Sequence, residues 1–202
     1  MIAVVDYGMG NIGSVCNALR YVGAAHSVTE DPYIIERADG LILPGVGAFG
    51  DAMDNIKKRG LIQSIRDFIE SRRPFLGICL GYQLLFESSE ESPGIEGLCV
   101  LDGLVKKFPS DMGLKVPHMG WNTIKCGKNT NFLKELDEKY VYFVHSYYVE
   151  PKNMDDFCSE TIYGIRYASA IEYENILACQ FHPEKSGDDG LGLLKKWTEA
   201  II

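Results

Sequence analysis

The sequence lacks most of what a nucleic-acid or membrane protein needs. Its 20 Lys and Arg are outnumbered by 28 Asp and Glu, for a formal charge of −8 at pH 7. That balance argues against a basic surface for a polyanion or an anionic lipid. No apolar run approaches bilayer length, and one of the longest, LILPGVGAF at 41–49, is broken by proline and glycine. The six cysteines, at 16, 79, 99, 126, 158 and 179, form no C-x-x-C pair, so neither a zinc ribbon nor a thioredoxin motif is indicated. Cys179 with His182 is the nearest approach to a metal spacing, and it has no second pair. Histidine is scarce as well, with four in the chain. The opening MIAVVDYG has no basic segment and no leader-length apolar stretch, so the expectation is a chain that stays in the cytosol. Its cysteines would then be reduced, and most would serve as small buried hydrophobes.

What is present reads as an ordinary globular protein. Hydrophobic residues make up 46% and charged residues 24% of the 202, enough for one well-buried core. With no repeat, low-complexity tract or linker, a single domain over 1–202 is expected. Ile2 to Val5 is a short β-branched run that ends in the glycine-rich DYGMGN. Ile12, Val15, Cys16, Leu19 and Val22 then recur at helical spacing and stop at Gly23. Gly40 to Leu43 reads as a second strand running into PGVG. Two helices broken at Gly60 are expected between Asp51 and Arg72. Phe75 to Ile78 reads as a third strand, and Tyr82 to Glu87 as the opening of a helix. This alternation predicts an α/β fold, an open and mostly parallel sheet with helices on both faces. Sites in such sheets lie outside the carboxyl ends of the strands, where DYGMGN, PGVGAF and GICLG would all emerge. The second half reads differently. Leu98–Phe108, Thr123–Lys125, Tyr140–Val149, Thr161–Tyr167 and Ile176–Phe181 are strand-like, which predicts added mixed or antiparallel strands. A helix closes the chain, with Leu191, Leu194, Trp197 and Ile201 on one face.

G-I-C-L-G, after the third strand, has the form of a nucleophile elbow with Cys79 in the position of the nucleophile. Small neighbours are needed because the nucleophile takes a strained backbone conformation. A following helix N-terminus favours thiolate over thiol, and the Leu80 N–H would face an oxyanion formed on an attacked carbonyl. A buried structural cysteine in a glycine-rich turn fits the same five residues. A base decides between them. His26 falls in a strand, His118 in the apolar-flanked loop P-H-M-G-W-N, and His145 just after the strand at 140–144. His182 follows a strand directly and has Glu184 two residues on, with Pro183 restricting the backbone between them. Cys79, His182 and Glu184 at strand ends make a nucleophile, base and orienting carboxylate. The two glycines of Pro44-Gly45-Val46-Gly47 could expose a second backbone donor.

These residues resemble the class I, triad-type glutamine amidotransferases. D-Y-G-M-G-N at 6–11, P-G-V-G-A-F at 44–49, P-H-M-G-W-N at 117–122, F-V-H-S-Y at 143–147 and Q-F-H-P-E-K-S at 180–186 narrow the resemblance. They are similar to the branch that supplies glutaminase subunits to imidazole glycerol phosphate synthases in histidine biosynthesis. The motifs run in order over essentially the whole chain. The resemblance implies that Cys79 attacks the side-chain amide of L-glutamine, His182 acts as base and Glu184 holds it. Backbone amides of Leu80 and Val46 would form the oxyanion hole. Gly45, Gly47, Gln83, His145, Ser146 and Tyr147 would hold the glutamine, with Glu91 a weaker candidate for its α-amino group. No cofactor and no metal are implied. The implied partner is a (β/α)8-barrel cyclase subunit that receives the ammonia within a heterodimer. Tyr7, Asn11, Met119, Trp121, Asn122 and Lys185 match positions at or near that interface. A related glutaminase serving a surface-sugar amidotransferase, an autonomous cysteine hydrolase or peptidase, and a non-catalytic module on the same fold are the alternatives.

Overall fold

The structure, a computed structural model, describes residues 1–152 and 158–201. In chain order its elements begin with β1 (Ile2–Val5), α1 (Ile12–Tyr21), β2 (His26–Thr29), α2 (Pro32–Arg37), β3 (Gly40–Gly45), α3 (Phe49–Lys58) and α4 (Leu61–Glu70). Then come β4 (Phe75–Cys79), the single turn α5 (Leu80–Gln83), β5 (Ser88–Ser89), β6 (Gly103–Lys107) and β7 (His118–Thr123). The chain continues with β8 (Tyr140–His145), β9 (Tyr147–Pro151), β10 (Cys158–Tyr163), β11 (Ile165–Tyr173), β12 (Ile176–Cys179) and α6 (Gly187–Glu199). The main sheet has the order β2-β1-β3-β4-β12-β11-β9-β6-β5, with β10 on β11, and β7 and β8 form a separate hairpin. From β2 to β12 the strands are parallel. At β11 the sheet turns antiparallel and stays so through β9 and β6. The fold is the mostly parallel, helix-flanked sheet with added mixed strands that the sequence predicts.

Strand alternation explains the two cores. Ala3, Val5, Leu41, Leu43, Phe75 and Ala178 face one side, where Ile35 of α2, Met53 and Ile56 of α3, and Ile65 and Phe68 of α4 cover them. Ile2, Val4, Ile42, Leu76, Ile78 and Leu177 face the other, under Val15 and Leu19 of α1 and Leu194 and Trp197 of α6. Both faces of the parallel strands are buried, so these strands read as continuous apolar runs.

Several expectations need correction. The P-H-M-G-W-N segment is not a loop. His118–Thr123 is a strand paired residue by residue with Tyr140–His145, its partners running from His118↔His145 to Thr123↔Tyr140. M-G-W-N hides this because it has no β-branched residues. Tyr140–Val149 is not one strand. The chain leaves the hairpin at Ser146 and joins the main sheet as β9, where the Phe108 N–H bonds the Ser146 carbonyl. The expected helix at 82–87 is one turn at 80–83. The N–H groups of Leu98 and Val100 take the carbonyls of Leu84 and Leu85, which a longer helix would need. For the same reason 98–102 is spent on these bonds and the strand starts only at Gly103. Helix α2 was not foreseen, although Asp31 caps it by accepting the Tyr33 N–H and Pro32 occupies its first position. Tyr7 is fully buried and cannot meet a partner.

The glycines around Cys79 are required by packing. A Cβ on Gly81 would run into the Leu43 carbonyl oxygen, and one on Gly77 would lie 3.1 Å from the Gly81 oxygen. Gly192, in the middle of α6, has open space around it. Gly81→Ala is therefore expected to destabilise the chain by about 3 kcal/mol or prevent folding. Gly192→Ala should stabilise it by about 1 kcal/mol. Urea midpoints check both, and a neutral Gly81→Ala would contradict this packing.

Candidate active site

Cys79 ends β4 with φ 54° and ψ −107°, a conformation that L-residues rarely adopt, and α5 begins at the next residue. The elbow turns the sulfur out of the sheet edge, though the residue is 7% exposed. Strand β12 lies beside β4 in parallel register, Cys179 opposite Ile78, so the chain leaving β12 brings His182 to the same edge. His182 Nδ1 donates to Glu184 Oε1 at 2.8 Å, with both side chains almost entirely out of water at 2% and 0% exposure. That bond fixes the tautomer and turns Nε2 toward the Cys79 sulfur. Burial works to lower the His182 pKa. Hydrogen bonds to Cys79 and Glu184, and their negative charges, outweigh it and raise the pKa to about 10. Ser186 supports the turn, donating its hydroxyl to the His182 carbonyl at 2.6 Å and accepting the Tyr142 N–H at 3.0 Å.

A cavity of about 320 Å³ opens at Cys79. Val46, Gly47, Leu80, Gln83, Glu91, Val144, His145, Ser146 and Tyr147 line it with Cys79, so nearly all the sequence-predicted ligand residues come together here. Gly45 does not. It lies beneath the turn against Tyr7 and Leu80, whose Cβ is 2.8 Å from where a Gly45 Cβ would stand. Glu91 lines the cavity while its Oε2 accepts the Phe49 N–H at 2.8 Å, at the start of α3. Leu80 is the first residue of α5, where an N–H has no intrahelical partner. The cavity can take a molecule the size of an amino acid, with the Cys79 thiol and the His145 imidazole among its walls. A larger hollow of about 410 Å³ lies by Arg66, Cys99 and Glu174, and no histidine lines it.

Behind the cavity lies a second buried cluster. His145 Nδ1 donates to the Tyr147 carbonyl at 2.8 Å, and its Nε2 is 3.2 Å from both His118 Nδ1 and the Tyr167 hydroxyl. The His118 ring stacks between Tyr163 and Phe143, with ring centres 3.9 and 4.8 Å away. Burial lowers the His118 pKa to about 4. For His145, burial outweighs the bond to the Tyr147 carbonyl, and nearby His118 and His182 add to it, lowering the pKa to about 3. The sequence carries no sign of this pairing, because His118 and His145 meet only through the β7–β8 hairpin.

The residues expected at an interface divide. Met119 and Trp121 project from β7, 63% and 55% exposed, with Trp121 against Tyr142 and Lys185 over the Tyr142 ring. Asn122 is half-buried and donates to the Ile162 carbonyl at 3.0 Å. Asn11 accepts from the Ser14 hydroxyl at 2.8 Å at the start of α1. Gln180, which the sequence reading left without a role, is fully buried beside Cys79. Its position two residues before His182 on an extended chain was the available signal. Cys16, Cys79, Cys99, Cys126 and Cys179 are free, Cys179 is a fully buried strand residue as expected, and Cys99 is exposed. Among the described residues no helix is long and apolar enough to cross a membrane.

Comparison with known proteins agrees with this geometry. Residues 3–198 match the model of the family described as glutamine amidotransferase class-I. The chain belongs to the class-I glutamine amidotransferases, and it is a glutaminase. It is 50% identical to the imidazole glycerol phosphate synthase subunit HisH of Methanothermobacter thermautotrophicus, over 100% of this chain and 99% of that one. The HisH subunit of Caldanaerobacter subterraneus subsp. tengcongensis is 49% identical, with coverage of 100% and 98%. The chloroplastic imidazole glycerol phosphate synthase hisHF of Arabidopsis thaliana is 45% identical over 98% of this chain and 34% of its own length. Among solved structures, PurLQS from Thermotoga maritima superposes with a TM-score of 0.71 at 17% identity, covering 100% of this chain and 98% of that one. That likeness speaks for the fold.

The three histidines set opposite pH windows. His145, depressed to about 3 in the fold, contributes stability that is present above about pH 6.5 and lost as the pH falls toward 3. The loss is about 1.4 kcal/mol per pH unit, and His118 adds to it in the same direction. His182, raised to about 10, contributes stability that is full below about pH 6.5 and lost as the pH rises toward 10. Stability should therefore peak near pH 6.5. Urea midpoints taken across the range test this, and a profile flat from neutral to acid pH would contradict the buried neutral pair.

Proposed function

We propose that this chain is the glutaminase subunit of an imidazole glycerol phosphate synthase, acting as one amidotransferase domain. The observation that carries the mechanism is the buried His182–Glu184 bond at 2.8 Å, beside a cysteine in elbow conformation on a cavity fit for an amino acid. Identity of about half over whole chains with the HisH subunits supports the assignment to that synthase.

Cys79 gives its proton to His182 Nε2, and the sulfur attacks the side-chain amide carbon of L-glutamine. Negative charge develops on the amide oxygen and is met by the backbone N–H groups of Leu80 and Val46. The imidazolium protonates the departing nitrogen, ammonia leaves and a glutamyl thioester remains. His182 then takes a proton from water, hydroxide attacks the thioester through a second oxyanion, and glutamate departs as the thiol is restored. Glu184 keeps Nε2 aimed at the sulfur and stabilises the imidazolium. The ammonia passes to a (β/α)8-barrel cyclase subunit, which docks on the face carrying Met119, Trp121 and Lys185. That subunit uses it to form imidazole glycerol phosphate and aminoimidazole carboxamide ribonucleotide.

Glutamate release from glutamine tests this reading, with the chain alone and with a purified cyclase subunit plus its nucleotide ligand. Turnover should be strong only in the complex. Equal turnover without the partner would sink the proposal in favour of an autonomous hydrolase. Cys79→Ala should abolish hydrolysis and leave partner binding intact. Glu184→Gln should lower kcat by about a hundredfold or more with little change in KM. An unchanged kcat would remove Glu184 from the mechanism.

A further inference from the structure

Gln180 takes no part in the steps above, yet its side chain is fully buried against the nucleophile. Its Nε2 stands 3.6 Å from Cys79 Sγ, and its Oε1 accepts from Gln83 Nε2 at 2.9 Å. The orientation of this amide follows from its neighbours. The Tyr147 carbonyl can only accept, so Gln83 must present Nε2 to it, at 3.0 Å. The remaining hydrogen of that Nε2 needs an acceptor, so Gln180 must present Oε1. The donor end of Gln180 is then left facing the sulfur. His145 Nδ1 bonds the same carbonyl at 2.8 Å. One backbone oxygen thus holds an imidazole and orders two amides, and the last of them points an N–H at Cys79.

We propose that Gln180 is a positioning residue for Cys79, holding the sulfur in place for attack and favouring the thiolate over the thiol. This rests on Cys79 being the nucleophile. An ionised acceptor takes an N–H much more strongly than a neutral one, so the donor stabilises the anion selectively. When the thiol proton passes to His182 Nε2, the sulfur lies between two donors, the imidazolium and the Gln180 amide. A purely structural amide, satisfied by Gln83 alone, would leave sulfur chemistry untouched.

The test is the rate of Cys79 alkylation by iodoacetamide in the full chain, read by peptide mass spectrometry from about pH 6 to about pH 10. In Gln180→Leu the rate should fall about tenfold near neutral pH. The deficit should close at high pH, where the thiol ionises unaided. Gln180→Glu, which keeps an acceptor for Gln83 but loses the N–H, should show at least the same deficit. Exposed Cys99 is the internal control and should not change. No deficit in either variant, or one that is the same at every pH, overturns the proposal. If neither variant folds, the side-chain amide resonance of Gln180 in the unsubstituted chain decides. It should move when Cys79 is alkylated, and an unmoved resonance overturns the proposal. Failure to alkylate Cys79 at all, with Cys99 labelled, would instead strike at the nucleophile assignment and bring this proposal down with it.

Discussion

The site depends on one strained residue. Cys79 has positive φ at the end of a buried strand, a geometry that costs about 1–3 kcal/mol and must be imposed by its surroundings. The imposition comes from contact. Gly81 sits against the Leu43 carbonyl of the neighbouring strand, and Gly77 against the Gly81 backbone, so the turn has no room to relax. The parallel pairing of β3, β4 and β12 then sets what surrounds the sulfur. The P-G-V-G turn leaves one neighbouring strand, and His182 and Glu184 leave the other. The fold assembles the site through strand order, with little help from α5, which is a single turn.

Electrostatics divides the histidines near the cavity into two kinds. His182 has carboxylate and thiol partners that favour its protonated form, so it can hold the proton that Cys79 gives up. His118 and His145 have only neutral partners, among aromatic rings, and stay uncharged. The cavity therefore has one titrating imidazole at the sulfur. The neutral pair serves as scaffold, with His145 holding the carbonyl that orders Gln83 and Gln180. Positive charge stays where bond breaking requires it.

The parallel half of the fold was legible because both faces of its strands are buried. IAVV, GLIL and FLGI announce themselves as apolar runs closed by glycines. The triad was legible too, since a G-x-C-x-G after a strand and an H-P-E after another leave few other uses for those residues. The hairpin of β7 and β8 was not. Its pairing joins residues up to 27 apart, and His118–Met119–Gly120–Trp121 has no β-branched residue to mark it as a strand. The long-range hydrogen bonds that stop α5 at Gln83 were also invisible, because they come from backbone groups at 98–100 that any residues could supply. Gln180 was quoted within a motif and still missed. A buried amide shows its use only through the partners that orient it.

The two tryptophans occupy opposite situations. Trp197 is 1% exposed and packed in the core under α6, while Trp121 stands 55% exposed on the outward face of the hairpin. The chain therefore carries two separable optical reporters. Emission from Trp197 follows loss of the core. Emission from Trp121 follows anything that covers the hairpin while the core remains intact. A Trp121→Phe chain would isolate the first signal, so folding and surface occupancy could be followed by intrinsic fluorescence without attaching a dye.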